Sequence, residues 1–292
     1  MNAWRDAVTA VVVSYNSARV LPTCLDALND EGVGVLLVDN ASQDTSASMS
    51  NGESVGVVRN RLNQGFGRAA NRGVDQVRTE FALLLNPDVV LQPGAVTHLL
   101  DAAQRYPDAG LLAPRLIEAD GEIFLQAKSY LAKFLTNPKG VKMTPEGDCC
   151  VPFLSGAVLL IRMSAWQDAG GFDPNIFLFY EDDDLCRRFS DLGWTLVHVH
   201  GAVAWHARGT STPSSATNTY MRRWHLAWSR GYVADKYGMP SGLLGRTLVG
   251  CAKWLLASVL GNTQRKARYA GSVAGALAWF LRRSAVEREG LK

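Results

Sequence analysis

The stretch Val8-Thr9-Ala10-Val11-Val12-Val13-Ser14-Tyr15 is a β-branched apolar run, too short for a helix and without polar alternation. A strand with no polar face is buried on both sides, as in a parallel sheet covered by helices. Ser17 to Asn29 follows, with Val20, Leu21, Leu25 and Leu28 at helical spacing. Val33 to Asp39 (VGVLLVD) is a second buried strand, closed by Asn40, Ala41, Ser42, Gln43 and Asp44, which have turn and cap character. Val55 to Asn60 reads as a third strand and Gly67 to Arg78 as a helix. Phe81 to Leu85 (FALLL) is a fourth strand that stops at Asn86-Pro87-Asp88. This alternation predicts an α/β fold, a doubly wound and mostly parallel sheet with helices on both faces, whose ligands lie at the carboxyl ends of the strands. Asp39 and Asp88 both fall at such ends.

Further along, the pattern predicts a helix from about Gly94 to Tyr106, a short strand around Gly110 to Pro114 and an extended segment from Glu118 to Gly147. Val151 to Ile161 is strand-like, Ser164 to Ala169 a short helix and Gly170 to Asp173 a turn. Asp183 to Leu192 is helical and Thr195 to Trp205 the last strand. Beyond Thr210 the composition changes to a Ser/Thr/Pro linker, Ser211 to Thr219, and an Arg- and aromatic-rich helix, Tyr220 to Tyr237. The expected division is a catalytic domain over 1–212 and a basic, amphipathic helical region over 213–292.

Composition bounds the function. The 292 residues are 47% hydrophobic and 20% charged, which describes a globular protein with room for a large core. Five cysteines form an odd set without a CxxC pair, so they read as free, mostly buried thiols of a reducing compartment. The N-terminal Met1 to Ala7 has no apolar signal-peptide core, and no run reaches the roughly 18 apolar residues of a membrane span. A cytoplasmic location is expected, with a peripheral position on the inner face of the plasma membrane left open. From Met221 onward 13 Lys or Arg stand against 3 Asp or Glu, whereas the first 220 residues carry 17 against 24. Such a split predicts an acidic body and a basic tail suited to anionic lipid head groups or a diphosphate-linked acceptor. No helix-turn-helix or zinc pattern accompanies it, so nucleic acid is not the expected partner. In Leu243 to Leu260, Leu244, Leu248, Cys251, Leu255 and Val259 share one helical face, and Arg246, Gly250, Lys253 and Ala257 another. That helix either packs its apolar face on the body or lies in a membrane interface. The basic residues Arg265, Lys266, Arg268, Arg282 and Arg283 favour the second.

Acidic residues carry the candidate chemistry. A carboxylate at Asp39 can accept the N3–H of uracil or thymine, with Asn40, Ser42 and Asp44 lining the rest of a nucleoside site. A capping turn explains Ser42 and Asp44 equally well. Asp88, where the sheet opens, suits a hard divalent cation bridging two phosphates, and His206, at another strand end, can join it. In Phe177-Leu178-Phe179-Tyr180-Glu181-Asp182-Asp183-Asp184, four successive carboxylates repel unless they face solvent, bind a cation or share a proton. Asp183 fits a solvated helix N-terminus, and Asp182 a general base whose pKa neighbouring charge raises. Gly65-Phe66-Gly67-Arg68-Ala69-Ala70 matches the GxGxxA dinucleotide fingerprint, which makes an NAD-dependent dehydrogenase a rival. That fingerprint belongs after the first strand, where this chain has Ser14-Tyr15-Asn16-Ser17.

Seven stretches taken together, VVVSYN (11–16), VDNASQD (38–44), NQGFGRAANRG (63–73), LLNPDV (84–89), FLSGAVLLIR (153–162), GGFDPNIFLFYEDDDLCRR (170–188) and HARGTS (206–211), resemble glycosyltransferase family 2. These are inverting enzymes of GT-A fold, and the likeness is to their rhamnosyltransferase-like group. The resemblance implies a UDP- or dTDP-sugar donor, contacted by Tyr15, Asn16, Asp39 and Asp44, with Asn40, Asn63, Gly65 and Asn86 beside them. It implies Mg²⁺ or Mn²⁺ at Asp88 and His206, Asn86 standing where the family's aspartate-x-aspartate motif has its first aspartate. It makes Asp182, in the EDxDLxxR pattern, the catalytic base. Phe179, Tyr180 and Glu181 would face a glycan or polyprenyl-diphosphate-linked acceptor in cell-surface polysaccharide synthesis. A catalytically inactive nucleotide-sugar-binding scaffold is the non-enzymatic alternative.

Overall fold

A computed structural model describes residues 6–49, 55–118, 120–124, 129–131, 145–206 and 215–291. Met1 to Arg5, most of the segment expected to be extended, the HARGTS residues after His206 and the linker through Ser214 lie outside them. The chain forms two compact units. The first spans Met1–Asn63, Arg68–Phe172 and Asp182–Thr212. The second takes Pro213–Lys292 together with two short stretches from within the first, Gln64–Gly67 and Asp173–Glu181.

In chain order the first unit, with Phe66, Gly67 and Glu181 of the second at two helix starts, is built from β1 (Val8–Ser14), α1 (Leu21–Asp30), β2 (Gly34–Asp39), β3 (Val55–Arg59), α2 (Phe66–Val74), β4 (Phe81–Leu85), β5 (Val89–Leu91), α3 (Ala95–Arg105), β6 (Ala109–Glu118), β7 (Ile123–Phe124), β8 (Cys149–Cys150), β9 (Val158–Arg162), α4 (Met163–Ala169), α5 (Glu181–Asp191) and β10 (Thr195–His206). One mixed sheet runs in the order β3-β2-β1-β4-β9-β6-β10-β5. The ladders β3/β2, β2/β1, β1/β4 and β6/β10 are parallel and hold most of the paired residues, whereas β9 enters antiparallel between β4 and β6. Of the expected strand 151–161 only 158–161 falls in a ladder, β9 running on to Arg162, since Val151 to Ala157 meanders in before the ladder with β4 begins. Short β5, β7 and β8 carry too few residues to show a period.

Helices cover both faces of the sheet. Val8, Ala10 and Val12 of β1 share a core with Leu21, Cys24 and Leu28 of α1 and Leu99 and Leu100 of α3. On the opposite face, a Cβ at Gly73 of α2 would lie 2.5 Å from Val11 and 2.7 Å from Val38, so glycine sets how closely that helix approaches. Continuous burial of β1 and β4 follows from this double cover. Two of the five cysteines, Cys24 and Cys186, are buried, and Cys150 is exposed, which corrects the expectation of mostly buried thiols. Cys150 lies on a two-residue ladder that covers little of it.

The second unit contains α6 (Ala216–Lys236), α7 (Leu243–Val259), α8 (Thr263–Phe280) and α9 (Ala285–Arg288). Helix α6 starts with Ser215, whose side chain accepts the Asn218 amide. Gly271 and Gly275, one turn apart on α8, let α6 approach so closely that a Cβ would sit 2.3 Å from Tyr220 O and 2.1 Å from Trp224 O. Trp224, Trp228, Ala278 and Ala285 form the core beside that seam. On helix α7, Gly250 and Ala257 are buried while Leu244, Leu248, Leu255 and Val259 are exposed. Among the described residues no helix is long and apolar enough to cross a membrane.

Candidate active site

The parallel register sets Ser14 beside Asp39, so the ends of β1 and β2 open on the same edge of the sheet. Asp39 is buried, and its Oδ1 accepts the Ser42 amide at 3.3 Å. Asn40 follows, also buried. Its Nδ2 donates to Asn63 Oδ1 at 2.9 Å, and its Oδ1 accepts from Asn60 Nδ2 at 2.9 Å, while Asn60 in turn accepts from Arg72. Asn40, next to Asp39 in the chain, and Asn63 therefore brace one another, and Asn60 and Arg72 extend this hydrogen-bond network although neither stands out in the sequence. Two polar residues one strand apart with an Arg on the following helix are the only trace such a relay leaves.

The loop after β1 is equally ordered. Asn16 has a left-handed backbone (φ 52°), its amide donates to Ser42 Oγ at 2.9 Å, and its Oδ1 accepts from Gln43 N at 2.7 Å. Asp44 accepts the Ala18 and Ser46 amides, each at 3.0 Å, as the capping turn requires. Tyr15 is left exposed at the rim.

Asp88 and His206 come together through the sheet. His206, the last residue of β10, pairs antiparallel with Val89 of β5, which sets its Nε2 3.5 Å from Asp88 Oδ1. Both side chains are buried, and among the described residues His206 Nδ1 has no hydrogen-bond partner. Asn86 stands two residues before Asp88, its amide bonded to Ala157 O at 2.9 Å. No group of three metal-ligating side chains occurs among the described residues. One carboxylate and one imidazole nevertheless fit a hard cation that takes its other ligands from phosphate oxygens and water.

The carboxylate run divides by burial. Asp182 is half-buried; its Oδ2 accepts the Gly156 amide at 3.3 Å and its Oδ1 the Asp183 amide at 3.0 Å. Burial raises its pKa against the pull of those amides. Asp183, expected in solvent, is buried instead, a correction with a plain cause: residues 129–131 lie over it, and the Ser129 side chain and the Tyr130 and Leu131 amides bond to it. Burial first, and then the adjacent Asp182, push it up to about 7. Asp184 is fully buried and bound by Arg188 Nε at 2.8 Å, with Arg188 also donating to Ala169 O at 2.6 Å. The EDxDLxxR spacing thus sets a half-buried carboxylate, Asp182, beside a buried i,i+4 pair, Asp184 with Arg188. Apolar Leu185, Cys186 and Phe189 on the inner face already imply an inward Asp182 by helical period.

Gly65, Phe179, Tyr180 and Glu181 belong to the second unit. Gly65 has φ +77°, and a Cβ on it would meet Phe177 O at 2.1 Å, so close packing against that segment requires the glycine. Moreover α2 follows β3 and not β1, which removes the dinucleotide-fingerprint context. The 173–181 segment is tied to α6: Asp173 Oδ2 accepts from Lys236 Nζ at 2.6 Å and from the Tyr232 hydroxyl at 2.9 Å, and Leu178 O accepts from Ser229 Oγ at 2.9 Å. Phe179 and Tyr180 are both left-handed (φ 69° and 67°), a costly backbone for two bulky residues and one characteristic of functional segments. Glu181 is buried at the start of α5.

A mixed α/β sheet that gathers Asp39, Asp88 and His206 at strand ends, with a pKa-raised Asp182 on a helix, is the framework of a nucleotide-sugar transferase of GT-A fold. A family model described as "Glycosyltransferase like family 2" matches residues 5–231, and the chain belongs to that family and is a glycosyltransferase. It is 31% identical to N-acetylglucosaminyl-diphospho-decaprenol L-rhamnosyltransferase of Mycobacterium tuberculosis, over 77% of this chain and 87% of that one. It is 26% identical to rhamnosyltransferase WbbL of Escherichia coli, over 59% and 71%. Among solved structures, the mannosyltransferase PcManGT from Pyrobaculum calidifontis, in complex with GDP-Man and Mn²⁺, superposes with a TM-score of 0.57 at 14% identity. That superposition covers 97% of this chain and 89% of that one.

Proposed function

We propose that this glycosyltransferase is an inverting rhamnosyltransferase. Its donor is a nucleoside-diphosphate sugar with a uracil or thymine base, and its acceptor is a hydroxyl of a lipid-diphosphate-linked glycan. Asp182, half-buried and raised in pKa, takes the proton from the acceptor hydroxyl. The freed oxygen attacks C1 of the sugar, the C1–O bond to the β-phosphate breaks with its electron pair staying on the diphosphate, and configuration at C1 inverts. Asp39 accepts the N3–H of the base. Asp88 and His206 would hold a divalent cation, which when bound supplies positive charge to the leaving diphosphate.

The single observation that carries this reading is the joint presence of a raised-pKa carboxylate at Asp182 and the Asp88–His206 pair in one unit. The rhamnosyl and lipid-diphosphate parts draw on the relative that is 31% identical. The test is a donor screen across UDP-, dTDP- and GDP-sugars, reading transfer to a prenyl-diphosphate-linked amino sugar. Rhamnosyl transfer from a uridine or thymidine donor is expected. Transfer only from a guanosine donor, or none to a lipid-linked acceptor, would overturn it.

A further inference from the structure

Within the helical unit, α6, α7 and α8 enclose a cavity of about 410 Å³. Five cations converge on it: Arg223 and Arg230 from α6, Arg246 and Lys253 from α7, and Arg268 from α8. No carboxylate is among its lining residues. Burial, and then the neighbouring Arg268 and Arg222, hold the Arg223 guanidinium below its ordinary range. Like charges gathered from three helices are self-repelling unless an anion offsets them. Tyr180, two residues before Asp182 in sequence, lines the same cavity, and its hydroxyl accepts from Arg230 at 3.2 Å.

The outer face of α7 supplies the second half of the argument. Leu244, Leu248, Leu255 and Val259 are 68%, 65%, 59% and 85% exposed, and Val249, on the cavity wall, is 54% exposed. An apolar ridge of this kind beside a basic pocket calls for an amphiphile, with an anionic head in the pocket and a hydrocarbon chain on the ridge. A diphosphate matches five cations better than a single phosphodiester, because it offers more anionic oxygens to charge-assisted hydrogen bonds.

We infer that the α6–α7–α8 cavity is the binding site for the diphosphate of a prenyl-lipid-linked acceptor, with the prenyl chain lying along the exposed face of α7. This rests on the reading above that the acceptor is lipid-linked.

The experiment compares binding of farnesyl diphosphate, inorganic pyrophosphate and phosphatidylglycerol vesicles to the full chain. It also compares the variants Arg223→Gln/Arg268→Gln and Arg246→Gln/Lys253→Gln, the second pair being exposed and safe for folding. Farnesyl diphosphate should bind more tightly than pyrophosphate, and each double variant should weaken it roughly tenfold or more. Nucleotide binding and melting temperature should be unchanged. Equal affinity of wild type and both variants would overturn the site. So would pyrophosphate binding as tightly as the prenyl compound, or binding to the vesicles alone. Farnesyl diphosphate binding that depends on the arginines, in an enzyme that fails the lipid-linked transfer assay, would overturn the functional reading and leave the site standing.

Discussion

His206 Nε2 lies 3.5 Å from Asp88 Oδ1, and the antiparallel ladder between β10 and β5 puts it there by pairing His206 with Val89. A side chain delivered by sheet register is preorganised, so a cation held by this pair needs no loop closure to form its protein ligands. His206→Ala and Asp88→Asn should each lower transfer roughly 100-fold or more, since cation stabilisation of a leaving diphosphate is worth several kcal/mol. EDTA should abolish wild-type transfer and Mn²⁺ restore it. Undiminished activity after EDTA treatment would remove both residues from that role.

The buried Asp183 makes stability depend on pH in a defined direction. Its carboxyl titrates near 3.8 when unfolded and at about 7 in the fold, so the folded state binds more protons in between. Stability therefore declines as pH rises from about 4 to about 7 and is level above that. Asp183→Asn cannot ionise. Its melting temperature should match wild type near pH 4 and exceed it by a growing margin up to about pH 7. A margin that does not vary with pH would show that the Asp183 carboxyl titrates alike in the folded and unfolded chain, and would contradict the raised pKa.

Arg188 Nε pairs at 2.8 Å with the fully buried Asp184. Arg188→Ala should destabilise the first unit by roughly 3–5 kcal/mol, because it removes the cation paired with a buried carboxylate. The double variant Asp184→Leu/Arg188→Met should recover most of that loss. Chemical denaturation of the three proteins measures the difference, and additive losses would contradict the pairing.

Glycine at the α6–α8 seam is required by contact. Gly275→Ala drives a Cβ to 2.1 Å from Trp224 O and should cost roughly 1–3 kcal/mol. Gly245→Ala, with nothing within 4 Å, should instead stabilise α7 by up to about 1 kcal/mol through helix propensity. Thermal melts of the two variants should move in opposite directions.

The buried strands β1, β2 and β4 are legible because unbroken apolar runs admit no exposed face, and the acids at their ends then mark the ligand side of the sheet. The intruding β9 is not, since Val158 to Arg162 has the same apolar character whether it pairs parallel or antiparallel. Burial of Asp183 is hidden in the sequence for a related reason: local sequence favours a solvated helix start, and the cover comes from residues 129–131, some fifty positions earlier. The Asn63–Asn40–Asn60 relay was hidden because amides in a loop carry no period. Helix α7 leaves two readings open in sequence, because spacing groups its apolar residues on one face without saying what covers them; in the structure Leu244, Leu248 and Leu255 are exposed and Gly250 and Ala257 buried.

The central claim is that Asp182, and not its neighbour Asp183, takes the acceptor proton, and it is tested by comparing Asp182→Asn with Asp183→Asn in one sugar-transfer assay. Asp182→Asn should abolish transfer while keeping nucleotide binding, with Asp183→Asn retaining measurable turnover. Transfer retained in Asp182→Asn and lost in Asp183→Asn would assign the proton to the other carboxylate and contradict the account.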